Sequence, residues 1–201
     1  MKEPVDCPKC GAQFEFETFP LFTQAEKILD LTAFRSVCPS CGAELMFPYP
    51  CIYHDAASHV MVRFIPRGFD LSDLPADVPV PQPGDSLRDV YSVHSFREKL
   101  LIFQHGLDDR AIELLKILTV QQNPERFDVQ DPDVLLLAAV EPDALSFFAL
   151  AKDGNDFILK TPLGLYEQMR AELSSPHFEM SGGFETVDAQ WVLEHFRLLE
   201  S

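Results

Sequence analysis

Cys7-Pro8-Lys9-Cys10-Gly11 and Cys38-Pro39-Ser40-Cys41-Gly42 are two copies of one five-residue pattern, with 27 residues between Cys10 and Cys38. In each copy two residues separate the thiols, which lets both sulfurs face one ion. The proline pre-sets φ early in the turn, and the glycine after the second cysteine permits a positive φ where amides turn toward sulfur. Two such knuckles supply four thiolates to one tetrahedral ion, so Cys7, Cys10, Cys38 and Cys41 are the predicted metal ligands and Zn²⁺ the predicted occupant. Four protein ligands leave no coordination position for water, which makes the predicted site structural rather than catalytic. Iron in a rubredoxin-like setting and redox-active thiols without metal are the alternatives the spacing leaves open. A structural zinc contributes on the order of 10 kcal/mol to folding, enough to hold together a small module with a thin core.

Around the knuckles, residues 13–19 alternate polar and apolar, with Phe14 and Phe16 on one face and Glu15 and Glu17 on the other, as in a half-buried strand. Thr23-Gln24-Ala25-Glu26 reads as a capping box that opens a short helix over 24–31. Strands follow at 35–37, 44–53 and 59–65, the last two joined by a turn at Asp55-Ala56-Ala57-Ser58. From residue 66 to 85 prolines recur at Pro75, Pro79, Pro81 and Pro83, each lacking an amide hydrogen for a helix or an inner strand. This stretch reads as a connector between a module at 1–65 and a second domain at 86–201.

In that second domain Ser95-Phe96-Arg97-Glu98 reads as another capping box, opening a helix to Gln104 that Gly106 stops. Asp108 caps the next helix, whose Ala111, Leu114, Leu115 and Leu118 share a face. Residues 134–140 read as a buried strand, and Asp153-Gly154 as the turn of a hairpin. Thr161 and Pro162 are placed as N-cap and first residue of a helix, and a last helix over 188–199 presents Trp191, Val192, Phe196 and Leu199. The predicted fold is therefore α+β: a small N-terminal β module with a short helical insertion, then an α+β domain with a helical hairpin, antiparallel strands and two C-terminal helices.

Sixteen Lys and Arg oppose 32 Asp and Glu in the 201 residues, a formal charge of −16. Residues 131–201 contribute −9 of this and residues 1–65 only −3. Nucleic-acid binding draws on Lys and Arg displacing counterions from phosphates, so so acidic a chain argues against it, and against anionic membrane surfaces. A protein partner or self-association fits the acidic surface instead. Residues 1–10 carry charges and prolines where a secretory signal needs an apolar run, and no 18-residue apolar stretch follows. Five cysteines, four of them in paired knuckles, suit a reducing compartment, so a cytoplasmic location is expected.

The two knuckles, together with Tyr49-Pro50-Cys51-Ile52-Tyr53-His54-Asp55 and Val60-Met61-Val62-Arg63-Phe64-Ile65-Pro66, resemble the CpXC family of bacterial and archaeal proteins. The stretch from Phe96 to Arg110 is similar to the segment that follows the ribbon in longer members. The resemblance reaches to about residue 120. It implies metal ligation by Cys7, Cys10, Cys38 and Cys41, a zinc-ribbon-type module, and no catalytic residue.

Other residues carry chemistry of their own. Cys51 alternates in register with Leu45, Phe47, Tyr49 and Tyr53 and reads as a small buried hydrophobe. His54, Asp55 and His59 bracket the predicted turn, where a second metal site or a histidine–carboxylate pair would be built; polar residues suit a turn without such a role. Asp108, Asp109 and Arg110 stand at a helix start, where capping and the helix dipole account for two carboxylates. His94, His105, His177 and His195 have no clustered partners. Three functions compete: a non-enzymatic zinc protein that binds other proteins, a nucleic-acid or transcription-linked ribbon, and an enzyme built on His54 and Asp55.

Overall fold

The computed structural model describes residues 1–128, 134–174 and 178–197, and the chain divides into two compact units, Met1–Arg97 and Glu98–Ser201. The first unit opens with an antiparallel hairpin of β1 (Lys2–Asp6) and β2 (Gln13–Glu17), in which Asp6 pairs with Gln13 across the first knuckle. A second hairpin, β4 (Arg35–Val37) and β5 (Glu44–Met46), pairs Val37 with Glu44 across the second knuckle. Between them lie β3 (Leu21–Phe22) and α1 (Glu26–Leu29). The helix is shorter than the capping box predicts, because Ala25 rather than Thr23 takes the N-cap position and no side chain caps it.

The strand expected over 44–53 is two strands. β5 ends at Met46 and β6 (Cys51–Asp55) begins beyond Pro48 and Pro50, which cannot donate to a ladder. β6 forms a hairpin with β7 (Val60–Phe64), and β8 (Ser86–Val90) lies parallel to β7, giving a four-stranded sheet in the order β3-β6-β7-β8. The proline-rich segment at 66–85, read from sequence as a connector between domains, thus links neighbouring strands of one sheet. Parallel neighbours need a crossover of a dozen or more residues, and this stretch supplies it without a helix of any length. The unit accordingly extends to Arg97, past the boundary expected at residue 65.

Its core is aromatic. The Phe34 ring lies 5.4 Å from Phe64, Phe64 stacks on Phe96 at 5.2 Å, and all three are fully buried. Burying each such ring contributes roughly 1.5–3 kcal/mol. Arg97 Nε donates to the Leu29 carbonyl at 2.7 Å and ties the end of the unit to α1.

α2 (Val93–Gln104) starts in the first unit and ends in the second. Its cap differs from the prediction: Ser92 Oγ accepts the Ser95 amide at 3.0 Å and Ser95 Oγ accepts the Ser92 amide at 3.2 Å. The reciprocal box sits three residues earlier than expected, which frees Glu98 for another task. Gly106, at φ 64°, ends the helix as predicted, with the Leu107 amide donating back to Ile102.

In the second unit α3 (Asp109–Gln122) contacts α4 (Leu163–Glu172) and α5 (Ala189–Arg197). Beside them β9 (Leu135–Val140), β10 (Ala144–Leu150) and β11 (Asp156–Pro162) form an antiparallel meander. Gly154, at φ 83°, makes the predicted turn. Thr161 does not cap α4: it lies buried in β11, which runs on through Pro162, and Pro162 itself is the N-cap residue. Leu137, Leu145 and Phe147 from the sheet pack with Ile112, Leu115, Tyr166, Trp191 and Val192 from the helices in one core. His177, Leu199 and the side chain of Phe196 lie outside the described residues. Among the described residues no helix is long and apolar enough to cross a membrane.

Both units are mixed α and β, with a small N-terminal sheet region that carries the cysteine cluster and helices at the C-terminal end, as the sequence predicts.

Candidate metal centre

Each knuckle sits at the tip of its own two-stranded hairpin, and the two are closed in the same way. In the first, the Cys7 amide donates to Ala12 at 2.9 Å and the Gly11 amide to Cys7 at 2.8 Å; in the second, the Cys38 amide donates to Ala43 and the Gly42 amide to Cys38, both at 2.9 Å. Gly11 and Gly42 take φ values of 71° and 70°, the left-handed conformation that the sequence motif requires of them. One turn geometry, repeated, faces its two thiols toward those of the other.

The four sulfurs lie within 4.8 Å of one another. Across the knuckles Cys7 lies 3.7 Å from Cys41 and Cys10 lies 3.7 Å from Cys38. Sulfurs about 2.3 Å from a central ion at the corners of a tetrahedron stand about 3.8 Å apart, whereas a disulfide would bring them to about 2.05 Å. All four cysteines are free, and their arrangement can hold a metal ion. Cys7 and Cys38, the first cysteine of each knuckle, are buried beside Ala43 and flanked by Ala12, Phe14 and Leu45, while Cys10 and Cys41 face solvent. Phe14 and Phe16 from β2 meet Phe47 at 6.0 and 5.2 Å, so an aromatic layer joins the two hairpins behind the sulfurs.

The thiols differ in acidity. Burial raises Cys38, but the amides of Cys41 and Ser40 and the neighbouring sulfurs outweigh it and bring the thiol down to about 7. The Ala12 amide lowers Cys10, but hydrogen bonding among the sulfurs, with burial, pushes it up to about 12. Uptake of a divalent ion by such a mixed cluster expels protons.

The remaining candidates do not join this cluster; among the described residues the four cysteines are the group able to hold an ion. Asp55 is a turn residue: its carboxylate accepts the amides of Ala57 and Ser58 at 3.0 and 3.2 Å. Bonding from Ser58 holds its carboxyl below the usual range. His54, next to it on β6, is half-buried and pairs in register with Met61. His59 takes φ 55° at the end of the turn, and its Nδ1 meets Asp85 Oδ1 at 3.0 Å. Asp85, held low by the Gln82 amide at 2.7 Å, thus fastens the end of the proline-rich crossover to the β6–β7 turn. Sequence reading had no route to that partner, since 26 residues separate the two. Cys51 is fully buried on β6, and burial pushes its thiol well up, which matches its reading as a small hydrophobe.

In the second unit Asp108 caps α3 by accepting the Arg110 amide at 3.0 Å. Arg110 folds back on Asp108 through Nε at 2.9 Å and donates from Nη1 to the Phe178 carbonyl at 2.7 Å. Asp109 turns inward to Lys99 at 3.1 Å. That contact begins a buried chain of charges the sequence did not reveal. Lys99 reaches Glu113 at 3.3 Å, Glu113 reaches Lys116 at 3.0 Å, and Lys116 reaches Glu98 at 3.1 Å. Glu98 finally accepts the Leu137 amide of β9 at 2.6 Å. The one available signal was five charged residues, Glu98, Lys99, Asp109, Glu113 and Lys116, placed on buried faces of α2 and α3.

A family model described as CpXC protein matches residues 5–116. No curated protein and no solved structure matches the chain.

Proposed function

The chain belongs to the CpXC family, and from that premise we propose that it is a zinc-stabilised, non-catalytic protein-interaction module. Cys7, Cys10, Cys38 and Cys41 hold a structural Zn²⁺. The supporting observation is the sulfur geometry: cross-knuckle separations of 3.7 Å against the edge of about 3.8 Å expected of a zinc tetrahedron. Bound there, the ion supplies folding energy and no open site for substrate. The chain's own part is to present the thiolates on two rigid turns and to shield Cys7 and Cys38 beneath Ala43 and Leu45.

The non-catalytic reading draws support from what the other candidates do. Asp55 and Asp108 cap local structure, Asp109 is buried against Lys99, and Arg110 clamps Asp108 and a carbonyl. Each of these four has structural employment, and the His59 contact with Asp85 fastens the crossover to the turn. The second unit, at −11 of the total −16, offers an acidic surface suited to protein partners.

Metal analysis of the purified protein tests the site: one zinc per chain is expected, released by a chelator with loss of β signal, and Cys38→Ser abolishes tight binding. Iron in place of zinc, or full structure retained without metal, overturns the reading.

A further inference from the structure

β11 is an edge strand. Its sheet runs β9-β10-β11, and among the described residues no strand pairs with its outer side. The strand reads Asp156-Phe157-Ile158-Leu159-Lys160-Thr161-Pro162. Asp156, Ile158 and Lys160 are exposed, while Phe157 and Leu159 pack against the core. In register, Ile158 lies opposite Phe148 of β10, and Phe148 opposite Leu136 of β9. The solvent face therefore carries an apolar row, Leu136, Phe148 and Ile158, with exposed Leu150 beside it. Long open edges of this kind invite pairing with another strand unless they are blocked; here Pro162 stands at one end, and the exposed charges Asp156 and Lys160 flank the apolar centre and select which strand can pair.

The strand is self-complementary about Ile158. Laid antiparallel against its own copy with Ile158 opposite Ile158, it brings Asp156 opposite Lys160 at both ends and Phe157 opposite Leu159 twice. Centring on Phe157 or Leu159 instead sets a charge opposite Ile158. Shifting by a single residue puts the solvent face of one copy beside the core face of the other. One register therefore satisfies charge, apolar contact and face together.

We propose that β11 is the pairing edge through which two copies of this chain form a two-fold symmetric dimer, with a continuous six-stranded antiparallel sheet. The interface is isologous, each copy giving Asp156 and receiving it on Lys160. Lys160 already holds Glu141 at 2.7 Å, so in the dimer it stands between a carboxylate of its own chain and one of the other copy. The apolar row runs on across the two-fold axis, making one stripe from two. This gives the interaction reading above a partner, a second copy of the chain, and rests on that reading for its role; it does not depend on the metal.

Sedimentation of the full chain over a wide concentration range tests it. The wild type is expected to be a dimer. Lys160→Asp and Asp156→Lys each create like-charge pairs at both ends of the interface and raise the dissociation constant about tenfold or more. The double swap, Asp156→Lys with Lys160→Asp, restores the dimer. The emission of Trp191, the one tryptophan of the chain, checks that each variant is folded. Ile158→Cys provides a route independent of charge: the opposed side chains form a disulfide between copies under mild oxidant, since directly opposite Cβ atoms stand about 4.5–5.5 Å apart. A monomer at every concentration overturns the proposal, as does a dimer indifferent to both single reversals, or an Ile158→Cys variant that stays uncrosslinked. Loss of the dimer with zinc still bound strikes this proposal alone, and a dimer without zinc strikes the metal reading alone.

Discussion

Replacing Lys116 with methionine keeps the length of the side chain and removes the charge between Glu98 and Glu113. In the structure the Lys116 ammonium lies 3.1 Å from Glu98 and 3.0 Å from Glu113, with side chains 8%, 2% and 5% exposed. Burial alone would lower this lysine, but the two carboxylates outweigh it and hold it charged. Taking one partner out of a buried pair costs about 3–5 kcal/mol, because the other charge stays behind unpaired. Against a total stability of about 5–15 kcal/mol that is a large share, equivalent to roughly 15–30 °C in the melting of a domain of about 100 residues. The loss also depends on pH. Burial raises the Glu98 carboxyl above its ordinary 4.5 even with lysine present, and removing the lysine raises it further. A carboxyl raised in the folded state favours folding fully below its unfolded pKa, and that contribution is lost as pH rises through the folded value. The deficit of Lys116→Met is therefore greatest at neutral pH and shrinks as pH falls toward 4.5 and Glu98 takes up a proton. Trp191 is buried in the second unit and stacks on His195 at 3.9 Å, so its emission during urea unfolding reads that unit specifically. Adding Glu98→Gln should recover part of the loss at pH 7. A deficit under about 1 kcal/mol, or one that does not change with pH, would refute the idea that the buried charges hold one another in place.

Two further outcomes follow from the first unit. Gly42→Ala meets no atom within 4 Å of the added Cβ, so its cost is the left-handed backbone alone, about 1–2 kcal/mol. Chelator competition should show metal affinity weakened roughly five- to thirty-fold, with Gly42→Asn milder; an unchanged affinity would mean the knuckle relaxes. Cys51, fully buried with its thiol raised, should resist alkylation in the native protein while all five cysteines label in denaturant, as mass spectrometry would show; rapid native labelling of Cys51 contradicts the packing.

The cysteine cluster and the two turns that build it were legible because both are local: a five-residue motif contains its own hydrogen bonds and its own left-handed glycine. Hairpins were legible for the same reason, at Asp55 to Ser58 and at Asp153-Gly154. What escaped depends on distant partners. The return of Ser86 to Val90 to the edge of β7 leaves no trace in its own polar-apolar pattern, and prolines mark irregular chain without saying where it leads. Glu98 looked like the end of a capping box because Ser95 stands three residues before it. Only the folded core, bringing Lys116 and the Leu137 amide to it, makes it a buried acid. The same competition moved the start of α4 from Thr161 to Pro162, where pairing with β10 kept Thr161 in the strand.

The parallel seating of β8 beside β7 has a consequence for how the chain matures during synthesis. Both knuckles and both of their hairpins are complete once residue 46 has emerged, so the metal can be captured early. The sheet behind them cannot close until Ser86 to Val90 arrives, and its aromatic stack waits for Phe96. For that interval the nascent chain carries a finished metal clasp on an unfinished body, with the edge of β7 open to whatever strand is nearest. A fragment cut at residue 65 keeps its sulfurs but lacks β8, so the edge of β7 stays unpaired in it.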